Sequence, residues 1–176
     1  RIVLTGGGTA GHVTPHLALI PPLRQEGWDI HYIGSETGIE RELIGKVEGV
    51  TYHAVKTGKL RRYRDVKNLS DPFRVVAGVG QATHLIHTLK PNVVFSKGGY
   101  VAVPVVYGAA FNRVPVLIHE SDMTSGLANR LSLPFAKVLM CTFPETVKEA
   151  GKKGLYVGAP IRRELLAGDR ERGLKL

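Results

Sequence analysis

Short apolar runs alternate with amphipathic stretches along the whole chain. Runs rich in Val, Ile and Leu fall at 2–5, 29–34, 51–55, 92–96, 116–119, 137–141 and 155–157. Their near-continuous apolar character is that of strands covered on both faces. Stretches with helical spacing lie between most of them, at 15–26, 39–47, 71–89, 101–111, 126–133 and 144–150. This alternation predicts right-handed βαβ units. The expected fold is α/β, a Rossmann-like parallel sheet with helices on both faces. Thr14 and Pro15 have the residue types of an N-cap and a first helical position. Pro21 and Pro22 are expected to kink or shorten that first helix, because each removes a backbone donor.

A chain of 176 residues buries one substantial core. The longest apolar run, 101–111, contains Pro104 and Gly108 and is too short to cross a bilayer. A single cysteine, Cys141, excludes an internal disulfide and a cysteine-based zinc site, and fits a reducing, cytosolic setting. The formal charge of +9 favours anionic partners: nucleic acid, an acidic membrane face or phosphorylated substrates. With no RNA-binding signature, nucleic acid rests on charge alone. The densest charge run is KTGKLRRYRDVK at 56–67. It is either a solvated loop or, beside the apolar helix that follows, a peripheral membrane contact. In the segment 69–90 that follows the run, Leu69, Phe73, Val76, Leu85 and Ile86 keep approximate helical spacing, and most are expected in the core.

Ligands of parallel sheets bind beyond the carboxyl ends of the strands, and four loops there are unusual. The first, TGGGTAGHVTPH at 5–16, contains GxGxxG. Its glycines allow backbone amides to approach a phosphate. A dinucleotide loop would place Pro15 inside the helix, which counts against a nicotinamide cofactor, although Glu36 lies where a ribose-binding acid would fall. His12, at the mouth of this loop, is a candidate general base or a phosphate ligand. The second loop, SKGGYVAVP at 96–104, offers Gly98 and Gly99 ahead of a helix, with Lys97 and Tyr100 beside them. The third, HESD at 119–122, presents carboxylates able to orient hydroxyls or take a proton. One histidine with two acids is weak evidence for a metal. The fourth, GAPIRR at 158–163, brings Arg162 and Arg163 to the domain edge.

Taken in order, GGGTAGHVTP, KGGYVAVP, HESD followed by GLANR, and GAPIR resemble the amino-terminal half of the MurG family. These are the UDP-N-acetylglucosamine–N-acetylmuramyl-(pentapeptide) pyrophosphoryl-undecaprenol N-acetylglucosaminyltransferases. The likeness runs from Arg1 to about Arg163. It implies the amino-terminal half of a GT-B glycosyltransferase. In that family this half holds the acceptor, lipid I, at the cytoplasmic face of the membrane, while a carboxyl-terminal domain holds most of the UDP-N-acetylglucosamine site. The implied reaction is inverting attack by the acceptor 4-hydroxyl on the anomeric carbon, with no metal and no cofactor.

Carried over by position, the resemblance implies donor contacts at Thr9, Ala10, Gly11, Asp122 and Arg162. It implies acceptor-diphosphate contacts at Gly7, Gly8, Gly98, Gly99 and Tyr100, His12 as base and Glu120 in reserve. Three departures stand out: Ala10 for glycine, HESD for HEQN and GAPIR for GNPxR. An ionised Asp122 accepts hydrogen bonds but cannot donate as an amide does. Residues 1–163 are expected to form the acceptor-binding domain and 164–176 to begin a linker to an absent donor domain, so the chain is expected to be inactive alone. A nicotinamide-dependent oxidoreductase and a noncatalytic basic binding module are the alternatives.

Overall fold

The computed structural model describes residues 1–58, 67–169 and 173, with backbone only at 67–72. Seven parallel strands form one sheet in the order β3-β2-β1-β4-β5-β6-β7. They are β1 (Ile2–Thr5), β2 (Ile30–Ser35), β3 (Val50–Val55), β4 (Val93–Ser96), β5 (Val116–Glu120), β6 (Val138–Cys141) and β7 (Gly154–Tyr156). Among the described residues six α-helices connect them: α1 (Thr14–Gln25), α2 (Ile39–Ile44), α3 (Lys67–Leu89), α4 (Ala102–Phe111), α5 (Leu127–Ser132) and α6 (Pro144–Ala150).

Side-chain alternation divides the core in two. Ile2 and Leu4 of β1, Ile30 and Tyr32 of β2 and Phe95 of β4 point to one face, where Ile20 of α1 and Ile44 of α2 meet them. Val3, Ile33, Val94 and Ile118 point to the other, against Ala82 and Ile86 of α3 and Val105, Val106 and Ala109 of α4. Full burial of each such aliphatic side chain is worth about 1.5–3 kcal/mol. The strand order reverses between β1 and β4, whose following helices α1 and α4 lie on opposite faces. Their carboxyl ends therefore open a crevice, and the two glycine loops both enter it.

Three local expectations change. A 3-10 turn at Ala10–His12 leads directly into α1, with the Val13 amide bonded to the Ala10 carbonyl at 2.9 Å. Thr14 is therefore the first helical residue rather than a side-chain cap, and Pro15 is second. The helix runs through Pro21 and Pro22 to Gln25 without being shortened. Both prolines are exposed, each leaves a helical carbonyl, of Leu17 and of Ala18, without its usual amide donor, and Ile20 anchors the helix in the core. Finally, Ile86 is core as expected, but Phe73 and Val76 are 77% and 71% exposed. Most of the basic run at 56–67, and the side chain of Leu69, lie outside the described residues.

Candidate functional site: a cleft at the switch point

The two glycine loops interlock. The Gly7 amide donates to the Gly98 carbonyl at 3.3 Å, and the Lys97 amide donates to the Thr5 carbonyl at 2.8 Å. Gly98 and Gly99 turn with φ of +86° and +79°, a region costly for any side chain. A Cβ at Gly99 would collide with the Gly7 carbonyl oxygen and reach the His12 ring. A Cβ at Gly8 would collide with the Tyr100 ring. The second loop thus lies flat against the first.

Over this junction is a cavity of about 380 Å³. Its polar end is formed by His12, Gly99, Tyr100, Glu120 and Asp122. Its apolar lining comes from Val75 of α3, Val103 of α4, and Leu127 and Leu131 of α5. α4 starts at the polar end with no side-chain cap at Val101. The Ala102 amide donates to the Gly99 carbonyl at 3.1 Å, and the positive end of the helix dipole makes such a terminus suited to an anion.

His12 Nδ1 lies 3.2 Å from the Lys97 carbonyl oxygen. A carbonyl only accepts, so Nδ1 carries the proton and Nε2 keeps its lone pair. Burial lowers the His12 pKa below its ordinary value, and the Lys97 charge lowers it further. The ring is therefore neutral at pH 7, the state a general base requires. Lys97 itself is 1% exposed, and its ammonium donates to the Ser121 hydroxyl. Burial lowers its pKa, while Glu120 and Asp122 oppose that shift.

Glu120 is 5% exposed and already accepts three hydrogen bonds. They come from the Asp122 amide at 3.1 Å, the Gly126 amide at 3.0 Å and Asn129 Nδ2 at 2.9 Å. This carboxylate fixes the HESD loop to the start of α5. Asn129 Oδ1 is buried without a hydrogen-bond partner among the described residues.

The structure gathers His12, Gly99, Tyr100, Glu120 and Asp122 around one cavity, with Gly7, Gly8 and Gly98 beneath it. The amides of Gly7, Gly8 and Gly98 have other partners: the Gly98 carbonyl, Glu40 Oε2 and Ser96 Oγ, respectively. The lack of a side chain at each also permits close approach, of Glu40 at Gly7, of Tyr100 at Gly8 and of Asn129 at Gly98. Thr9, Ala10 and Gly11 form an exposed turn at the rim. Arg162 is not brought into the cavity; it lines a separate groove against Leu17 and Pro21 of α1.

Lys97, the charge beside the second glycine loop, is buried. Glu40, which no motif marks, is buried as well, whereas Glu36 is exposed. The i, i+4 spacing of Glu40 with Ile44 was the available signal, since it places both on the inward side of α2. Among the described residues no group of three or more His, Cys, Asp or Glu is placed to hold a metal.

A parallel α/β domain with its cleft at this switch point has the architecture of the amino-terminal half of a GT-B glycosyltransferase. The chain belongs to glycosyltransferase family 28: the N-terminal domain of that family matches residues 2–140. It is 59% identical to the UDP-N-acetylglucosamine–N-acetylmuramyl-(pentapeptide) pyrophosphoryl-undecaprenol N-acetylglucosamine transferase of Geobacillus thermodenitrificans, over 100% of this chain and 50% of that protein. It is 56% identical to the protein of the same name from Clostridium tetani, over 100% of this chain and 49% of that one. The crystal structure of Acinetobacter baumannii MurG superposes with a TM-score of 0.75 at 28% identity, covering 92% of this chain and 46% of that one. A UDP-GlcNAc 2-epimerase from Neisseria meningitidis, 14% identical with a TM-score of 0.65, covers 100% of this chain and 51% of that one and shares the fold alone. The resemblance to the MurG family thus holds across the chain, which spans about half the length of the curated relatives it matches. The nicotinamide alternative is not favoured: the GxGxxG loop gives its Gly8 amide to a buried carboxylate instead of leaving it for a pyrophosphate.

Proposed function

We propose that this domain is the acceptor half of an inverting glycosyltransferase. The longer enzyme moves N-acetylglucosamine from UDP-N-acetylglucosamine to the 4-hydroxyl of lipid I, a sugar carried on pyrophosphoryl-undecaprenol, and so makes lipid II for peptidoglycan. The names of the relatives, which are transferases acting on a pyrophosphoryl-undecaprenol substrate, support this substrate pair. The observation that carries the reading is the Nδ1 contact of His12 with the Lys97 carbonyl, which turns a neutral Nε2 toward a cavity bounded by an uncapped helix terminus. That arrangement suits an amphiphilic acceptor. Its diphosphate lies at the start of α4 beside Gly98, Gly99 and Tyr100. Its lipid end follows Val75, Val103, Leu127 and Leu131.

In the reaction, the acceptor oxygen forms its bond to the anomeric carbon as the bond to UDP breaks. The hydroxyl proton passes to His12 Nε2, and UDP leaves with the electron pair. Glu120 holds the loop that carries Asp122. Thr9, Ala10, Gly11 and Asp122 form the rim that meets the donor held by a carboxyl-terminal domain. Arg162 takes part only if its segment moves toward that rim. Exposed Phe73 and Val76 on α3, near the apolar end of the cavity, form a contact with the cytoplasmic face of the membrane, where the enzyme is peripheral. No described helix is long and apolar enough to cross a membrane.

The test is sugar transfer to a lipid I substrate by the chain extended to the full length of its relatives. Product formation is expected from the extended chain and not from the 176-residue chain alone. Transfer by the short chain, or none by the extended chain, contradicts the reading.

A further inference from the structure

We propose that Glu40 is a positioning residue of this transfer site, an internal carboxylate that stands where a ligand phosphate would press on the first glycine loop and thereby sets that loop's register. The inference rests on the glycosyltransferase reading above. Glu40 is fully buried at the start of α2. It accepts from the Gly8 amide at 3.2 Å, from the Ser35 amide at 3.1 Å and from the Ser35 hydroxyl. Hydrogen bonds from N–H and O–H groups to a charged carboxylate are about twice as strong as neutral ones.

Two glycines make room for it. A Cβ at Gly7 would come within 2.5 Å of the Glu40 carboxyl, and one at Gly38 would collide with its oxygen. At Gly34 a Cβ would first collide with the Tyr52 hydroxyl and then reach Glu40 Cγ at 3.0 Å. Gly7 and Gly38 follow two different β-strands, so the surroundings of one side chain account for a glycine in each loop. Two tyrosines close the network. The Tyr32 hydroxyl donates to the Gly6 carbonyl at 2.6 Å, and the Tyr52 hydroxyl donates to the Ser35 carbonyl at 2.7 Å. Arg41 sits 5.6 Å over the Tyr52 ring.

The consequence reaches the chemistry through contacts already described. Gly8, held at φ +86°, supports the Tyr100 ring. Gly7 is bonded to Gly98, and its carbonyl oxygen lies where a Gly99 side chain would begin. Gly99 in turn packs against the His12 ring. Moving Gly8 therefore moves the base relative to the acceptor loop. The same carboxylate repels a diphosphate approaching the first loop from that side, which leaves the start of α4 as the anion-binding edge of the cleft.

The test uses the extended chain and the variants Glu40→Gln and Glu40→Gly. Glutamine turns an N–H₂ toward the Gly8 or Ser35 donors. Because displacements of about 1 Å away from the chemistry can cost about 100-fold, kcat is expected to fall roughly 10- to 100-fold. KM for the UDP-sugar should stay within about threefold, as expected when an interaction needed only in the transition state is lost. In Glu40→Gly, added formate should restore several-fold of the lost kcat, and chloride at equal ionic strength should not. Glu42→Gln, at an exposed position of the same helix and outside this network, serves as the control and should keep near wild-type kcat.

Wild-type kcat in folded Glu40→Gln, or no formate effect on Glu40→Gly, overturns the proposal. If both variants fail to fold, hydrogen exchange of the wild-type Gly8 amide decides. Protection comparable to that of the β1 amides is expected, and exchange at an open-loop rate overturns it. If the wild type transfers no sugar while Gly8 is protected and formate raises the melting temperature of Glu40→Gly, the proposed function fails and the positioning role of Glu40 stands.

Discussion

His12→Ala in the full-length enzyme lowers kcat by about 10²- to 10⁴-fold, the usual contribution of a positioned general base. KM for the UDP-sugar changes by no more than about threefold, because the lost contact is made in the transition state and not with the bound donor. The sign of the pH dependence follows from the same geometry. The proton on Nδ1 is held by the Lys97 carbonyl, so Nε2 is the atom that titrates. Burial and the Lys97 charge place its pKa below the ordinary 6.5. The active form is neutral, so activity is full above that pKa and is lost as the pH falls through it.

Lys97→Met provides the internal check on that profile. The charges acting on the ring are Lys97, which lowers its pKa, and Glu120 and Asp122, which raise it. Removing the ammonium moves the acid limb of kcat/KM toward higher pH, while the backbone carbonyl still holds Nδ1. An acid limb that does not move in Lys97→Met, or wild-type turnover in His12→Ala, assigns the base elsewhere.

Gly99→Ala is expected to be the most damaging single-methyl change in the site. The residue has φ +79°, where a side chain costs about 1–3 kcal/mol. Its methyl would collide with the backbone oxygen of Gly7 and come within 2.9 Å of His12 Cδ2. Overpacking of that kind adds about 1–3 kcal/mol, and a backbone oxygen cannot swing aside as a flexible side chain can. Chemical denaturation should show a loss of about 3 kcal/mol or more, a large share of the 5–15 kcal/mol that typically holds a domain together. Transfer should fall further than the folded fraction, since the two loops cannot keep contact. Gly11→Ala is the matched control. Its methyl would meet only Thr9 Oγ1, at 3.9 Å, so it should change stability by no more than about 0.5 kcal/mol.

The parallel sheet was legible because each strand is buried on both faces and so reads as a compact apolar run. Every observed strand lies within one residue of its expected ends, as with 29–34 against Ile30–Ser35. Helix starts were less legible, because the 3-10 turn at Ala10–His12 replaces the hydroxyl cap that Thr14 suggested. Phe73 and Val76 show the limit of periodicity. Spacing defines a helical face but not whether a sheet lies beneath it, and α3 meets the core through Ala82 and Ile86 instead.

At the site, glycine loops and His12 were visible because glycine and histidine carry their reasons locally. The burial of Lys97 and of Glu40 was not, since their partners come from elsewhere in the chain. Ser121 is 24 residues from Lys97, and Gly8 is 32 residues from Glu40. Arg162 lies apart from these loops, in the groove against Leu17 and Pro21 of α1, a placement that its motif alone does not reveal.

The proposed acceptor role requires that the cleft of this domain receive the lipid-linked diphosphate and not the nucleotide donor. Titration of the ¹⁵N-labelled chain with a short polyprenyl diphosphate, and separately with UDP-N-acetylglucosamine, tests it most directly. The polyprenyl diphosphate should shift the amides of Gly98 to Val103 and the His12 side-chain signals in a saturable manner, with UDP-N-acetylglucosamine producing weaker shifts confined to Thr9–Gly11 and Asp122. Tight, saturable shifts at Gly98–Val103 from the UDP-sugar, with none from the polyprenyl diphosphate, would contradict the account.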